Sequence, residues 1–163
     1  MTTHLTIIDG DLLDQPVDAI VNPWNRNLIP WWLLLPQGVS GAIKRRAGYE
    51  PFRELSRKGV LPLGAAVITG AGRLPFQAII HVARISFLWR SSEESIRKSV
   101  RSALALAAQH EFRSLAFPLI GAGTGGGCPD QIQAIMEGEI EKSGFPGEVV
   151  LVRFRQEPTS PPF

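Results

Sequence analysis

The stretch that most restricts how this chain can fold is Leu119-Ile120-Gly121-Ala122-Gly123-Thr124-Gly125-Gly126-Gly127. It follows an apolar run, Ser114–Pro118, that reads as a buried strand. It precedes Pro129–Ser143, which reads as a helix with proline in its first turn. Five glycines in the seven residues 121–127 carry a large entropic cost, which a close approach of the backbone to another group would offset. A strand, a glycine run and a helix N-terminus, in that order, make an anion cradle: successive N–H groups converge and the helix dipole favours negative charge. In an open α/β sheet such a loop falls at the carboxyl ends of the strands, where ligands bind. No Lys-Ser or Lys-Thr follows the glycines, so the run is not a P-loop. It also comes too late in the chain for a dinucleotide fingerprint, which belongs after a first strand. A plain surface loop is the alternative that the motif alone leaves open.

The remaining segments alternate between strand and helix. Leu5–Asp9, Val17–Val21, Ala65–Thr69, Ala78–Val82 and Val149–Phe154 read as strands, with Asn22 shaping the loop that follows the second. Gly38–Ala47 has helix character, with Ser40 as N-cap and Gly48 as stop, and a second helix runs from Pro51 to Lys58. The clearest helix spans Ser92 to His110, where Ile96, Val100, Ala103, Leu104 and Ala107 recur at three- and four-residue spacing. This order predicts an α/β fold with three layers, α/β/α, around a mixed, largely parallel central sheet. Residues 1–156 read as one domain, and 157–163 as a flexible proline-rich tail.

Composition narrows the function. The net charge is only +2, although the sequence pI is about 9.0, which is too mild for a duplex nucleic-acid partner. The basic clusters Lys44-Arg45-Arg46 and Arg97-Lys98 with Arg101 read as solvated helix faces, as does Glu93-Glu94 at a helix start. A single cysteine, Cys128, excludes an internal disulfide and fits a reducing, cytoplasmic setting; its place suggests a helix-start residue. The longest apolar run, Ile29 to Leu35, is broken by Pro30, so no membrane association is expected, and the N-terminus shows no signal-peptide pattern. Nothing has metal-ligand spacing and no cofactor is implied. His81, in an apolar strand, reads as a hydrogen-bonded core histidine rather than a base.

Taken with the N-terminal half, the glycine run resembles the macro domain family. The resemblance is carried by Gly10-Asp11-Leu12-Leu13, then Asp18-Ala19-Ile20-Val21-Asn22-Pro23-Trp24-Asn25, then Gly38-Val39-Ser40-Gly41-Ala42-Ile43-Lys44-Arg45-Arg46-Ala47-Gly48. Leu63–Thr69, Ala78–Val82 and Ser114–Pro118 follow in family order, so that the match covers about residues 7 to 154. The resemblance implies an ADP-ribose cleft across the top of the sheet. Asp11 would accept a hydrogen bond from the adenine amino group, with the Leu12 backbone beside the ring, and Phe154 would lie against the adenine face. Asn25 would contact the distal ribose, and Gly38 and Val39 would line the cleft. Ile120, Gly121, Ala122, Gly123, Thr124, Gly125, Gly126 and Gly127 would hold the diphosphate. Each has a bland counterpart: Asp11 as a turn residue, Phe154 as core.

The sequence also departs from the family pattern. Where the mono-ADP-ribosyl hydrolase branch carries an aspartate and, one turn later, a histidine, this chain has Ser40 and Lys44. Neither is a ready general base near neutral pH unless a neighbour or burial shifts it, and a substrate phosphate could still orient the water; Asn25, Ser40 and Lys44 are the candidate catalytic residues. Leu28 to Gln37, with Trp31 and Trp32, replaces a polyglycine stretch, and reads as a lid over the distal ribose, a partner surface or a segment of the core. Gly125 and Gly127 stand where relatives often have aromatics. The resemblance therefore implies ADP-ribose, or an ADP-ribosylated macromolecule, as partner, with nucleic acid entering only as a modified substrate. Hydrolysis of ADP-ribosyl linkages or of acetylated ADP-ribose is one reading. A non-catalytic adaptor that uses the Trp-rich loop is the other.

Overall fold

The computed structural model describes residues 2–25, 38–59, 62, 64–85, 93–120 and 128–154. Six strands form one sheet: β1 (His4–Gly10), β2 (Ala19–Asn25), β3 (Ala66–Thr69), β4 (Ala78–Ile85), β5 (Ser114–Pro118) and β6 (Glu148–Phe154). Among the described residues four α-helices accompany them: α1 (Gly38–Ala47), α2 (Glu50–Arg57), α3 (Glu93–Gln109) and α4 (Pro129–Ser143). The strand order is β1-β6-β5-β2-β4-β3. All neighbouring pairs are parallel except β3 with β4, so the expected mixed, largely parallel sheet is what the chain forms.

Successive side chains of a strand point to opposite faces, and here both faces are apolar, as a parallel sheet covered by helices requires. Ala19, Val21, Leu115, Phe117, Val149 and Leu151 join Val100, Leu104, Met136 and Ile140 of α3 and α4 in one core cluster. The intervening Ile20, Ala116 and Val152 join Ile43, Ala47, Phe52 and Leu55 of α1 and α2 in a second. Three layers follow directly from that alternation.

Most expected boundaries shift by no more than a residue or two, as element ends commonly do, while β2 and β4 run on four and three residues further, to Asn25 and Ile85. Two differences have physical content. Ser40 sits within the first turn of α1 and does not cap it, because its hydroxyl is engaged across the layer with β2 (below). Asn22 lies inside β2, fully buried, rather than shaping a loop, because that strand continues to Asn25. Gly48 does end α1, in the left-handed conformation (φ 87°). Cys128 is the exposed residue preceding α4, as expected.

The carboxyl ends of β1, β6, β5, β2 and β4 share one edge of the sheet, since these strands run parallel. That edge carries the segments of interest: Asp11 follows β1, Trp24 and Asn25 end β2, Phe154 ends β6, and Ile120 follows β5.

Candidate functional site

At the end of β1 the chain turns through a short 3-10 segment, Leu12–Asp14, which Asp11 caps. The Asp11 carboxylate accepts from the Leu13 N–H through Oδ1 at 2.9 Å, and its backbone oxygen accepts from Gln15 Nε2 at 2.8 Å. Its other carboxylate oxygen lies 3.7 Å from Arg46 Nη1, and the Asp11 side chain stays 46% exposed. Leu12 and Leu13 are buried in the second core cluster. The turn-residue and acceptor roles of Asp11 therefore coexist: one oxygen holds the turn while half of the carboxyl group faces solvent.

Phe154 pairs in register with Gly10, the residue before Asp11. It is 75% exposed, which removes the core reading of this ring. An aromatic left in water at the carboxyl edge, one strand away from an exposed carboxylate, is a platform and an acceptor side by side.

The middle of the edge is organised by a buried polar chain. Ser40 Oγ donates to Asn22 Oδ1 at 2.8 Å, and Asn22 Nδ2 lies 3.0 Å from His81 Nδ1. His81 Nε2 lies 2.8 Å from Thr69 Oγ1, whose hydroxyl donates to the Gly70 carbonyl at 2.9 Å. Since the Asn22 amide can only donate through its nitrogen, Nδ1 of the imidazole is the acceptor and Nε2 carries the proton. Burial, with a smaller contribution from the Lys58 charge, lowers the His81 pKa to about 3, so the ring is neutral at ordinary pH. His81 is thus the hydrogen-bonded core histidine expected. What sequence reasoning missed is that Asn22, Ser40 and Thr69 complete its chain. The signal available was a run of polar residues at inward-facing strand positions, but only the register of β2, β4 and β3 brings them together.

Lys44 departs from the expected solvated basic face. It is buried (7% exposed), on the same side of α1 as Ile43 and Ala47, while Arg45 and Arg46 remain exposed. Its Nζ lies 4.9 Å from the Phe52 ring centroid and 5.6 Å from that of Trp24. Burial lowers its pKa. The expected N-cap Ser40 and the expected surface Lys44 therefore both turn inward, towards β2.

Other expected site residues are placed only in part. Gly38 opens α1, and Val39 packs half-buried against the second core cluster. Asn25 ends β2 just after a register slip relative to β4. Ile120 is fully buried, and its N–H points to Met136 Sδ at 3.4 Å, so that amide is engaged within the protein. Gly121, Ala122, Gly123, Thr124, Gly125, Gly126 and Gly127 lie outside the described residues, as do Leu28 to Gln37 with Trp31 and Trp32, and the tail 157–163. No helix among the described residues is long and apolar enough to cross a membrane.

The family profile described as Macro domain matches residues 21–136. An uncharacterized protein of Aquifex aeolicus is 38% identical over 140 residues, covering 85% of this chain and 81% of its own length. A Salmonella gallinarum protein named O-acetyl-ADP-ribose deacetylase is 39% identical over 134 residues, covering 77% of this chain and 71% of its own. Among solved structures, a point mutant of the Oceanobacillus iheyensis macrodomain with ADPR superposes with a TM-score of 0.76 at 28% identity, covering 93% of this chain and 86% of that one.

Proposed function

This chain belongs to the macro domain family, and on that premise we propose that it binds ADP-ribose across the carboxyl edge of its sheet. The observation that carries this reading is the pairing of an exposed acceptor, Asp11, with an exposed aromatic, Phe154, at adjacent strand ends. An adenine amino group donates to the carboxylate, and the ring rests on the aromatic face. The end of β2 at Asn25 and the start of α1 then lie towards the distal ribose, and residues 120–127 lead from β5 to the N-terminus of α4, where an anion is favoured. An O. iheyensis macrodomain solved with ADPR and a Trypanosoma brucei macrodomain solved with ADP-ribose support the ligand.

Turnover is the second half of the proposal. The name of the Salmonella relative points to the ester of an acetylated ADP-ribose as substrate. Water would add to the acetyl carbonyl as it gives up a proton, and the tetrahedral oxyanion would then collapse to acetic acid as the C–O bond to ribose breaks and the ribose oxygen takes that proton. That chemistry needs oxyanion donors and a positioned water more than a strong base. The arrangement of α1 agrees: Ser40 Oγ donates its hydrogen bond to Asn22 Oδ1, and Lys44 Nζ lies over the Phe52 and Trp24 rings. Ser40 presents no general base, and this reading assigns water activation to the ligand's own phosphates or to backbone groups. The residue types at positions 40 and 44 equally suit a binding module without turnover, which reads ADP-ribosylated partners.

Calorimetry with ADP-ribose, followed by turnover assays on O-acetyl-ADP-ribose and on ADP-ribosylated protein, separates these outcomes. Saturable binding is expected, weakened at least tenfold by Asp11→Ala, which is about 1.4 kcal/mol. Absence of binding at high micromolar ligand would remove the function proposed. Binding without turnover would leave the reader of ADP-ribosylated partners.

A further inference from the structure

The adenine end of the site holds a charged arrangement of which the binding reading uses Asp11 alone. Arg46, in the last turn of α1, reaches across to the turn after β1 and lies between two carboxylates. Its Nη2 donates to Asp14 Oδ1 at 3.0 Å, and its Nη1 is 3.7 Å from Asp11 Oδ2. The opposite Asp11 oxygen is held by the Leu13 N–H. One oxygen of the proposed base-reading carboxylate thus accepts from the protein and the other lies in ion-pair range of the guanidinium, and each keeps a lone pair for a ligand. All three charged side chains are about half exposed: 44% for Arg46, 46% for Asp11 and 63% for Asp14. Exposed pairs of this kind add little to stability, so a stabilising role does not account for the arrangement.

Resting on the assignment of Asp11 to the adenine amino group, we propose that Arg46 is the positioning residue for that carboxylate. Held by Asp14, it makes the site select a 6-amino purine over a 6-oxo purine. With its orientation fixed by the guanidinium, the Asp11 carboxylate presents a set acceptor to the base. It rewards an amino donor and repels a carbonyl oxygen. A guanidinium free to turn towards the base would do the opposite, since its fork of donors matches the O6 and N7 acceptors of a 6-oxo purine. Asp14 prevents that rotation by taking Nη2, and Asp11 is left as the acceptor. Phe154, one strand away, supplies a stacking surface indifferent to which purine lies on it, so discrimination falls to the charged group.

The test is calorimetry of ADP-ribose and of its hypoxanthine counterpart, inosine diphosphate ribose, on the full chain and on Asp11→Asn, Asp14→Asn, Arg46→Gln and Arg46→Lys. The readout is the ratio of the two dissociation constants, which a general loss of fold would leave unchanged. The full chain is expected to prefer adenine. Arg46→Gln and Asp14→Asn should each cut the ratio roughly tenfold, as removal of a charge-assisted contact would, while Arg46→Lys restores part of it. If the full chain binds neither ligand, the proposed function itself fails. If Asp11→Asn keeps the preference, Asp11 does not read the base and this inference falls with it. Should Asp11→Asn abolish the preference while Arg46→Gln keeps the full ratio, binding stands and the role of Arg46 is overturned.

Discussion

At His81 the fold buries an imidazole completely and gives each ring nitrogen one partner, Asn22 on one side and Thr69 on the other. Its folded pKa of about 3 lies below the unfolded value near 6.5, so between the two the unfolded chain binds a proton that the folded chain does not. The stability due to a neutral His81 is complete above pH 6.5 and is lost as pH falls towards 3. The slope contributed is about 1.4 kcal/mol per pH unit within that window. Urea unfolding at a series of pH values from neutral down to about 4 should show this dependence, and His81→Gln should flatten it relative to the parent. An unchanged slope in the variant would mean that His81 does not titrate as described. Asn22→Leu tests the same chain from its centre. It removes the partner of His81 Nδ1 and of Ser40 Oγ together, and leaving such groups unmatched in the core costs about 1–3 kcal/mol. Equilibrium denaturation should report a loss of that size.

The turn between β3 and β4 closes against the end of α1, and its geometry demands glycine at one position. Gly72 adopts φ 58°, and a Cβ there would run into the Ala47 carbonyl oxygen. That same carbonyl accepts from the Arg73 N–H at 3.1 Å, so the turn and the helix end hold each other at close range. Gly72→Ala should destabilise by about 1–3 kcal/mol, from the left-handed backbone and the lost approach together. Measured by the same denaturation, a neutral result would show that the turn can move away from α1. The helix itself illustrates how an element-level expectation fails. Lys44, Arg45 and Arg46 look alike in sequence, but the Trp24 and Phe52 rings across the layer take in the first, while the other two stay in solvent.

Across the whole molecule, one continuous sheet with two core faces ties the edge that carries the proposed site to every layer of the fold. A ligand that binds only the folded chain should therefore raise the stability of the molecule as one unit. At ligand about one hundred times above Kd the gain is about 2.7 kcal/mol, which for a chain of this size raises Tm by roughly 5–10 °C. Differential scanning fluorimetry with ADP-ribose should show that rise in the parent and a smaller one in Asp11→Ala. A parent without any shift would argue against binding at this edge.

Local pattern was enough for much of this protein. Strand and helix order, the largely parallel sheet and the burial of His81 were legible because periodicity and apolar runs are properties of neighbours in sequence. Ser114–Pro118 and Pro129–Ser143 have their expected limits. The likeness of the 7–154 blocks to the macro domain family was legible for the same reason. Three features were decided by tertiary structure alone: the inward turn of Lys44, the diversion of Ser40 from cap to hydrogen-bond donor, and the convergence of Asp11, Asp14 and Arg46. Each depends on what lies across the layer. Residues 22 and 81 meet through strand register, and residues 11 and 46 meet because α1 ends above the turn after β1. A chain reports its own period, whereas contacts between distant segments exist only once the sheet has set their register.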